Sequence, residues 1–257
     1  MSKLILYYQT FIPLKPLFDN NALPTHIHIS AIHFGKNKDN SSYIHLNDYH
    51  PNASIFDNMW SDIEKAHKLG VKIVLMVGGA GRAFQEFFSN FDFNYQLLKN
   101  TIKTHPYISG IDLDIEENVD LNLILKLVNK IKFDLGNDFS VSFAPVAFAM
   151  QNNKPGLGGF LYKDLKNLIG YNIDYFNTQF YYDFSVESYN EVINNNYDST
   201  KIILGMTQNN TNQFQTVYDL KKKYKDNFGG VYFWELCLID DYILWINKMK
   251  KILNIKY

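Results

Sequence analysis

The chain has a single cysteine, Cys237, in 257 residues. One thiol excludes an internal disulfide and any cage of cysteine ligands around a metal, and it is compatible with a reducing compartment. A surplus of one charge is also missing, because 25 Lys and Arg face 26 Asp and Glu and leave a formal net charge of −1. The lysines are spread along the chain. The densest run, Lys221 to Lys225, is interrupted by Tyr224 and reads as the solvated face of a helix. Nothing in that distribution calls for nucleic acid or an anionic membrane as partner. No apolar run approaches the ~18 residues needed to cross a bilayer. Met1-Ser2-Lys3 leads directly into Leu4-Ile-Leu-Tyr7, which is too short and too soon polar for a secretory leader. The expectation is a soluble protein without a signal peptide, cytoplasmic or exported by a route the residues do not display.

What is present is alternation. Short apolar runs at Leu4 to Tyr8, Ile27 to Phe34, Val71 to Val77, Tyr107 to Ile115, Phe139 to Ala144, Ile173 to Tyr181, Lys201 to Met206 and Gly230 to Trp234 each read as a buried strand. Amphipathic stretches separate most of them: Phe56 to Leu69; Ala83 to Thr104, broken near Phe91; Leu121 to Leu135; Tyr162 to Leu168; Val186 to Asn194; and Phe214 to Tyr224. A last one, Asp241 to Leu253, follows the eighth strand. Repeated strand-helix units imply right-handed crossovers and a parallel sheet, and eight of them favour closure. The predicted fold class is therefore α/β, a (β/α)8 TIM barrel, with residues 1–257 as one domain; a chain of this length fits such a barrel. The first two units carry the weakest signal. Pro13 and Pro16 interrupt whatever follows the first strand, and Lys36 to Asn58 is a polar loop with little strand character.

Within the fourth run, Asp112, Asp114 and Glu116 occupy every second position. Successive side chains of a strand point to opposite faces, so the three acids share one face while Ile111, Leu113 and Ile115 share the other. Crowding like charges raises the free energy of the fully ionised state, so at least one acid is expected to hold a proton at neutral pH. From alternation alone, a strand with one solvated acidic face is an equal reading. The barrel separates the two: helices cover the outer face of its strands, so the acids must point into the barrel mouth, where burying charge without a use is costly.

Two other groupings carry less. His26, His28 and His33 invite a metal reading, but they read better as one barrel strand with His26 and His28 on one face and His33 on the other, and no acidic or cysteine partner is spaced to complete a ligand set. Gly78-Gly-Ala-Gly81 has no following lysine and no Gly-x-Gly-x-x-Gly spacing; it reads as a tight strand exit rather than a phosphate loop. Neither a metal nor a cofactor is expected.

Ser109-Gly-Ile-Asp-Leu-Asp-Ile-Glu116 resembles the glycoside hydrolase family 18 signature, Asp-Gly-x-Asp-x-Asp-x-Glu, carried by chitinases and some endo-β-N-acetylglucosaminidases at the end of barrel strand four. Four further segments are similar to family motifs in the same order: Val74-Leu-Met-Val-Gly-Gly79 to its Ser-x-Gly-Gly, with Met76 in place of serine; Phe143-Ala-Pro145 to its Ala-Pro; Asp174-Tyr-Phe-Asn-Thr-Gln-Phe-Tyr181 to its Gln-Phe-Tyr form; and Gly229-Gly-Val-Tyr-Phe-Trp-Glu235 to its Gly-Gly-Val-x-x-Trp. The chain departs from the signature at Ser109, which removes the leading acid and keeps the three nearer the reaction. It also has no room for the α+β insertion that deepens the groove in some members, which favours an open cleft and internal cleavage.

The resemblance implies hydrolysis of β-1,4 bonds of N-acetylglucosamine polymers with retention, in which the substrate's own 2-acetamido carbonyl attacks and one protein carboxyl donates the proton. Glu116 would be that acid, Asp114 would orient the acetamide, and Asp112 would share a proton with Asp114. Tyr181 would donate to the acetamide oxygen, with Tyr182 as the alternative if the motif slips by one residue. Trp234 would floor the sugar, since an aromatic ring buries the flat C–H face of a pyranose, although a strand tryptophan can also be plain core. Gln179 would line the same pocket. Tyr7 and Gln9 are candidate contacts that ordinary barrel filling would equally explain, and Glu235, facing away from Trp234, receives no role. The expected partner is chitin or an N-acetylglucosamine-containing oligosaccharide, met by a monomer. An endo-β-N-acetylglucosaminidase acting on N-glycans and a non-catalytic sugar-binding barrel are the alternatives.

Overall fold

A computed structural model describes residues 1–255. Nine strands form: β1 (Lys3–Tyr8), β2 (His26–Lys36), β3 (Ser42–Leu46), β4 (Lys72–Gly78), β5 (Ile108–Asp114), β6 (Ser140–Phe143), β7 (Tyr175–Gln179), β8 (Ile202–Met206) and β9 (Gly230–Phe233). Eight of them are parallel neighbours in the order β1-β9-β8-β7-β6-β5-β4-β2, and a β1–β2 pairing closes the ring. These eight are the eight runs expected from the sequence. The fold is a (β/α)8 TIM barrel.

The strands form where apolar and β-branched residues cluster, and parity assigns their faces. On β5, Ile111 and Leu113 are fully buried against the surrounding helices. Each such aliphatic side chain contributes about 1.5–3 kcal/mol of burial free energy. The inward faces of the strands build a second, smaller core of Ile5, Tyr7, Ala31, Met76, Tyr175, Ile203 and Tyr232, with Tyr181 and Trp234 packed on it. Room for Tyr232 comes from Gly205 on the neighbouring strand, where a Cβ would lie 2.2 Å from the tyrosine ring.

The helices fall where amphipathic periodicity put them. Asp57–Lys68, Leu121–Leu135, Tyr162–Ile169, Val186–Asn194, Gln213–Tyr224 and Tyr242–Leu253 match within a residue or two. The expected break near Phe91 lies at Asn90, between Ala83–Ser89 and Phe91–Thr104. There Asn94 Nδ2 donates to the carbonyls of Glu86 and Phe87, at 3.0 and 3.1 Å, covering acceptors at the end of the first helix. None of the helices among the described residues is long and apolar enough to cross a membrane.

Three elements depart from the sequence reading. Lys36 to Asn58 is not only loop, because β3 pairs antiparallel with the outer half of β2 and buries Ile44 and Leu46. Lys15–Asp19 is helical despite its proline, since Pro16 sits in the first turn, where no backbone donor is needed. A further short helix, Ala147–Asn152, follows β6.

Candidate active site

The acids of β5 face inward, as parity requires. Asp112 is fully buried, Asp114 is 7% exposed, and Glu116, two residues beyond the strand end, is half-buried at the barrel mouth. A cavity of about 280 Å³ opens above them, lined by Asp114, Glu116, Gln179, Tyr181 and Trp234 on one side and by Gln9, His33, Met76 and the Gly78–Ala80 turn on the other. The turn can pass this close because Gly78 has a φ of +101° and a Cβ there would meet the Asp114 carbonyl oxygen at 2.1 Å. Gly79 N–H donates to that same oxygen at 2.8 Å. The glycine-rich segment is a strand exit that locks β4 to β5.

Each acid has a different environment. Asp112 Oδ2 accepts from the Tyr7 hydroxyl at 2.6 Å, and Oδ1 accepts from Ser142 Oγ at 2.6 Å and Asn177 Nδ2 at 3.0 Å. His28 Nδ1 lies 3.4 Å from Oδ2. Burial alone pushes the Asp112 carboxyl up, but the contacts with His28, Ser142 and Tyr7 together outweigh it and hold the group below its usual value. Asp114 has no such set of donors among the described residues, where Gln179 Nε2 alone reaches it, at 3.3 Å. Burial first, then the charges of Glu116, Asp112 and Glu117, push it well above the ordinary carboxylate range. Glu116 is raised as well, by burial and then by Glu117. The row therefore favours charge at its inner end and disfavours it toward the mouth.

This corrects one expectation. Both oxygens of Asp112 accept from other donors and no hydrogen bond joins it to Asp114, so the structure shows no shared proton between them; the charge of Asp112 is instead one of the causes that raise Asp114. Tyr7 is a second correction. It is 2% exposed and its hydroxyl is spent on Asp112, so it props the inner acid and cannot reach a sugar in the cavity. Gln9, two residues on and above the ring of strands, does line the cavity.

Tyr181 lines the cavity beside the acids, whereas Tyr182 points into solvent. Tyr232 Oη donates to Tyr181 Oη at 2.9 Å, which leaves the Tyr181 proton available to an acceptor in the cavity. Burial pushes this phenol up, so it remains a proton donor. Trp234 is partly exposed to the cavity and its ring packs 5.1 Å from that of Tyr7, centroid to centroid, so it is supported from below.

His33 is the third correction. A register shift between Ile29 and Ile32 inserts a residue into β2, so Ala31 and His33 join His28 on the inward side instead of alternating away from it. None of the three imidazoles is spent on a metal-like grouping: His26 Nδ1 bonds Thr25 Oγ1 at 2.8 Å, His28 Nε2 meets the Tyr175 hydroxyl at 3.1 Å, and His33 Nε2 meets the Ala80 carbonyl at 3.0 Å.

Two carboxylates without an assigned role prove to hold the rim together. Glu235, 5% exposed, accepts on Oε2 from the backbone N–H groups of Gln9 at 2.9 Å and Thr10 at 3.2 Å, and its Oε1 is bonded by Thr10 Oγ1 and by Cys237 Sγ. It joins the exits of β1 and β9 directly behind Trp234. Glu117 Oε1 accepts from the N–H groups of Phe84 and Gln85, anchoring the Ala83–Ser89 helix beside the acids. His28, Ser142 and Asn177, the other holders of Asp112, carry no motif of their own; inward parity on β2, β6 and β7 was the only signal that could have found them. Ser109, outside the cavity, bonds the Ile73 carbonyl at 3.2 Å at a register shift between β4 and β5.

Neither a family model nor a curated protein matches the sequence. Solved structures do. The chain is similar to a fungal endo-β-N-acetylglucosaminidase from glycosyl hydrolase family 18, with 26% identity over 98% of each chain and a TM-score of 0.88. It is similar to a chitinase from Aspergillus fumigatus, with 29% identity over 91% of each chain and a TM-score of 0.83. A family 18 chitinase from Pseudoalteromonas aurantia, at 21% identity over 98% of this chain and 100% of its own, shares the fold with a TM-score of 0.75. With this likeness running through nearly all of its length, the chain is a chitinase-like glycosidase, similar in fold and sequence to enzymes of glycoside hydrolase family 18.

Proposed function

We propose that the chain hydrolyses β-1,4 bonds on the reducing side of N-acetylglucosamine residues, with retention, using the substrate's acetamide as nucleophile. One observation carries this reading: Glu116, Asp114, Tyr181 and Trp234, from three different strand ends, line a single cavity. With the sugar on Trp234, Glu116 donates its proton to the glycosidic oxygen as the bond to the anomeric carbon breaks. The acetamide carbonyl oxygen closes onto that carbon from the other face and forms an oxazolinium ion, while the leaving chain departs as an alcohol. Tyr181 donates to the acetamide oxygen and orients it. An acetamide N–H directed at Asp114 and positive charge growing beside it both favour the ionised form of that acid. Glu116, now a carboxylate, takes a proton from water, which opens the ring and restores the original anomeric configuration. Two inversions give retention.

Chitin or soluble chito-oligosaccharide is the substrate that fits an open cleft with a single sugar floor, and cleavage within the chain follows from the same openness. The fungal endo-β-N-acetylglucosaminidase, with its TM-score of 0.88, favours a second reading in which the substrate is the paired N-acetylglucosamine of an N-glycan. Defined chito-oligosaccharides and a high-mannose glycopeptide, incubated separately and analysed by mass, discriminate the two. Cleavage of the glycopeptide alone overturns the chitinase reading, and cleavage of a substrate whose 2-acetamido group is replaced by hydroxyl overturns the mechanism.

A further inference from the structure

His28 lies outside every segment that resembles a family motif, yet it is fully buried and meets the innermost acid. A carboxylate offers lone pairs for about four donors, two on each oxygen. Ser142 Oγ and Asn177 Nδ2 occupy Oδ1 of Asp112, and the Tyr7 hydroxyl takes one place on Oδ2. His28 Nδ1, 3.4 Å from Oδ2, stands beside the place that remains and has no other partner among the described residues. The contact is longer than the 2.6 Å bonds of Tyr7 and Ser142. It also differs from them in kind, because an imidazole nitrogen can gain or lose a proton.

The other nitrogen of the ring settles where the proton belongs. Nε2 lies 3.1 Å from Tyr175 Oη, which can donate or accept. A carboxylate can only accept. With the proton on Nε2, Nδ1 would turn a bare lone pair on a carboxylate oxygen inside a dry core, where an unmade bond is costly. With the proton on Nδ1, that nitrogen donates to Asp112 and Tyr175 donates to Nε2, so both polar atoms of the ring are used. The surroundings offer no rival. β1 presents Tyr7, with its ring 4.9 Å from that of His28, centroid to centroid, β4 sets Val74 opposite, and β7 presents Tyr175. His26, two residues lower on β2, is driven well below the ordinary histidine value by burial and then by His28, Lys3 and Lys72, so it stays neutral. Burial pushes up the phenols that sense Asp112, namely Tyr7, Tyr162, Tyr175, Tyr181 and Tyr232, and they stay protonated. Above Asp112 stand Asp114 and Glu116.

We infer that His28 is a positioning residue of the reaction: aimed by Tyr175, it donates from Nδ1 to Asp112 Oδ2 and holds that carboxylate beneath Asp114. The inference rests on the proposed hydrolytic reading for the use made of the charge. Positive charge grows at the acetamide beside Asp114, and an anion fixed below favours that growth. Burial pushes Asp112 up, and His28 comes first among the contacts that overcome it. Without the imidazole, Asp112 takes up a proton at a higher pH, and its charge is lost sooner as the solution is acidified.

Nitrogen-15 spectra of the histidine-labelled protein, with the His28 signals assigned by their loss in His28→Asn, are expected to show a proton on Nδ1 at neutral pH. A bare Nδ1 overturns the inference, and this readout needs no turnover. The second measurement is the pH dependence of kcat on chito-oligosaccharide. In His28→Leu the acid limb is expected to move up by about one pH unit, a tenfold change in proton concentration, while KM stays within a few-fold. In His28→Asn, whose amide nitrogen can stand where Nδ1 stands, the limb is expected to stay where the parent has it. Limbs that coincide in all three proteins, or that move equally in both variants, overturn the inference and leave His28 as core. If His28→Leu does not fold, the spectrum decides. If the parent cleaves no chito-oligosaccharide while Nδ1 holds its proton, the pairing with Asp112 stands and the hydrolytic reading falls.

Discussion

Tyr7 donates its hydroxyl to Asp112 at 2.6 Å, between two side chains that the solvent scarcely touches. Tyr7→Phe leaves a buried carboxylate short of one donor. The expected cost is about 1–3 kcal/mol of folding stability. Chemical denaturation measures it, and a variant as stable as the parent would show that Ser142, Asn177 and His28 hold Asp112 without help.

Asp114 sets a pH dependence with a definite sign. Its pKa is raised in the folded chain, so the stability linked to it is fully present below the ordinary carboxylate value and is lost as pH rises toward the folded value. Asp112, held low, acts the other way and loses its share as pH falls below the ordinary value. Asp114→Asn removes the first effect and leaves the second. Thermal midpoints taken from acid to neutral pH are expected to decline less steeply on the alkaline side for Asp114→Asn than for the parent, and parallel curves would contradict the assignment.

Glu116→Gln keeps the shape of the side chain and removes its proton. Turnover of chito-oligosaccharide is expected to fall by about 10²–10⁴-fold, the usual worth of a positioned acid, while affinity stays within a few-fold. A variant with parental rate would take Glu116 out of the reaction.

Glu235→Ala strips two part-buried backbone donors, those of Gln9 and Thr10, of their acceptor. A destabilisation of about 1–3 kcal/mol is expected, together with a raised KM, because the strand exit carrying Gln9 is no longer tied to the one carrying Trp234. Glu235→Gln, which can still accept, is expected to recover part of both. Equal defects in the two variants would indicate that the acceptor is not what matters.

The eight barrel strands were legible because buried parallel strands write continuous apolar runs, and the outer helices because their periodicity is strong. The β3 hairpin strand was not, since Ser42, Tyr43 and His45 leave Ile44 and Leu46 as its two buried apolar positions. The acids were legible for a local reason: three side chains two residues apart cannot avoid one another on a strand. Depth was not. Tyr7 and Gln9 share a face, and only the closed barrel reveals that one stops at Asp112 while the other reaches the cavity. His33 was misplaced because parity counting assumes an unbroken register, and β2 has an extra residue after Ile29. Glu235 was passed over because its partners lie at the other end of the chain.

That last contact has a consequence for biosynthesis. The seam where β9 docks between β1 and β8 runs behind Trp234, and it is stitched by a residue from position 235 onto positions 9 and 10. A nascent polypeptide emerging from the ribosome carries Asp112, Asp114 and Glu116 long before Trp234 is made. The cavity thus gains its last wall only when the final strand slots home, and a prematurely terminated product would carry the carboxylates without the ring that faces them.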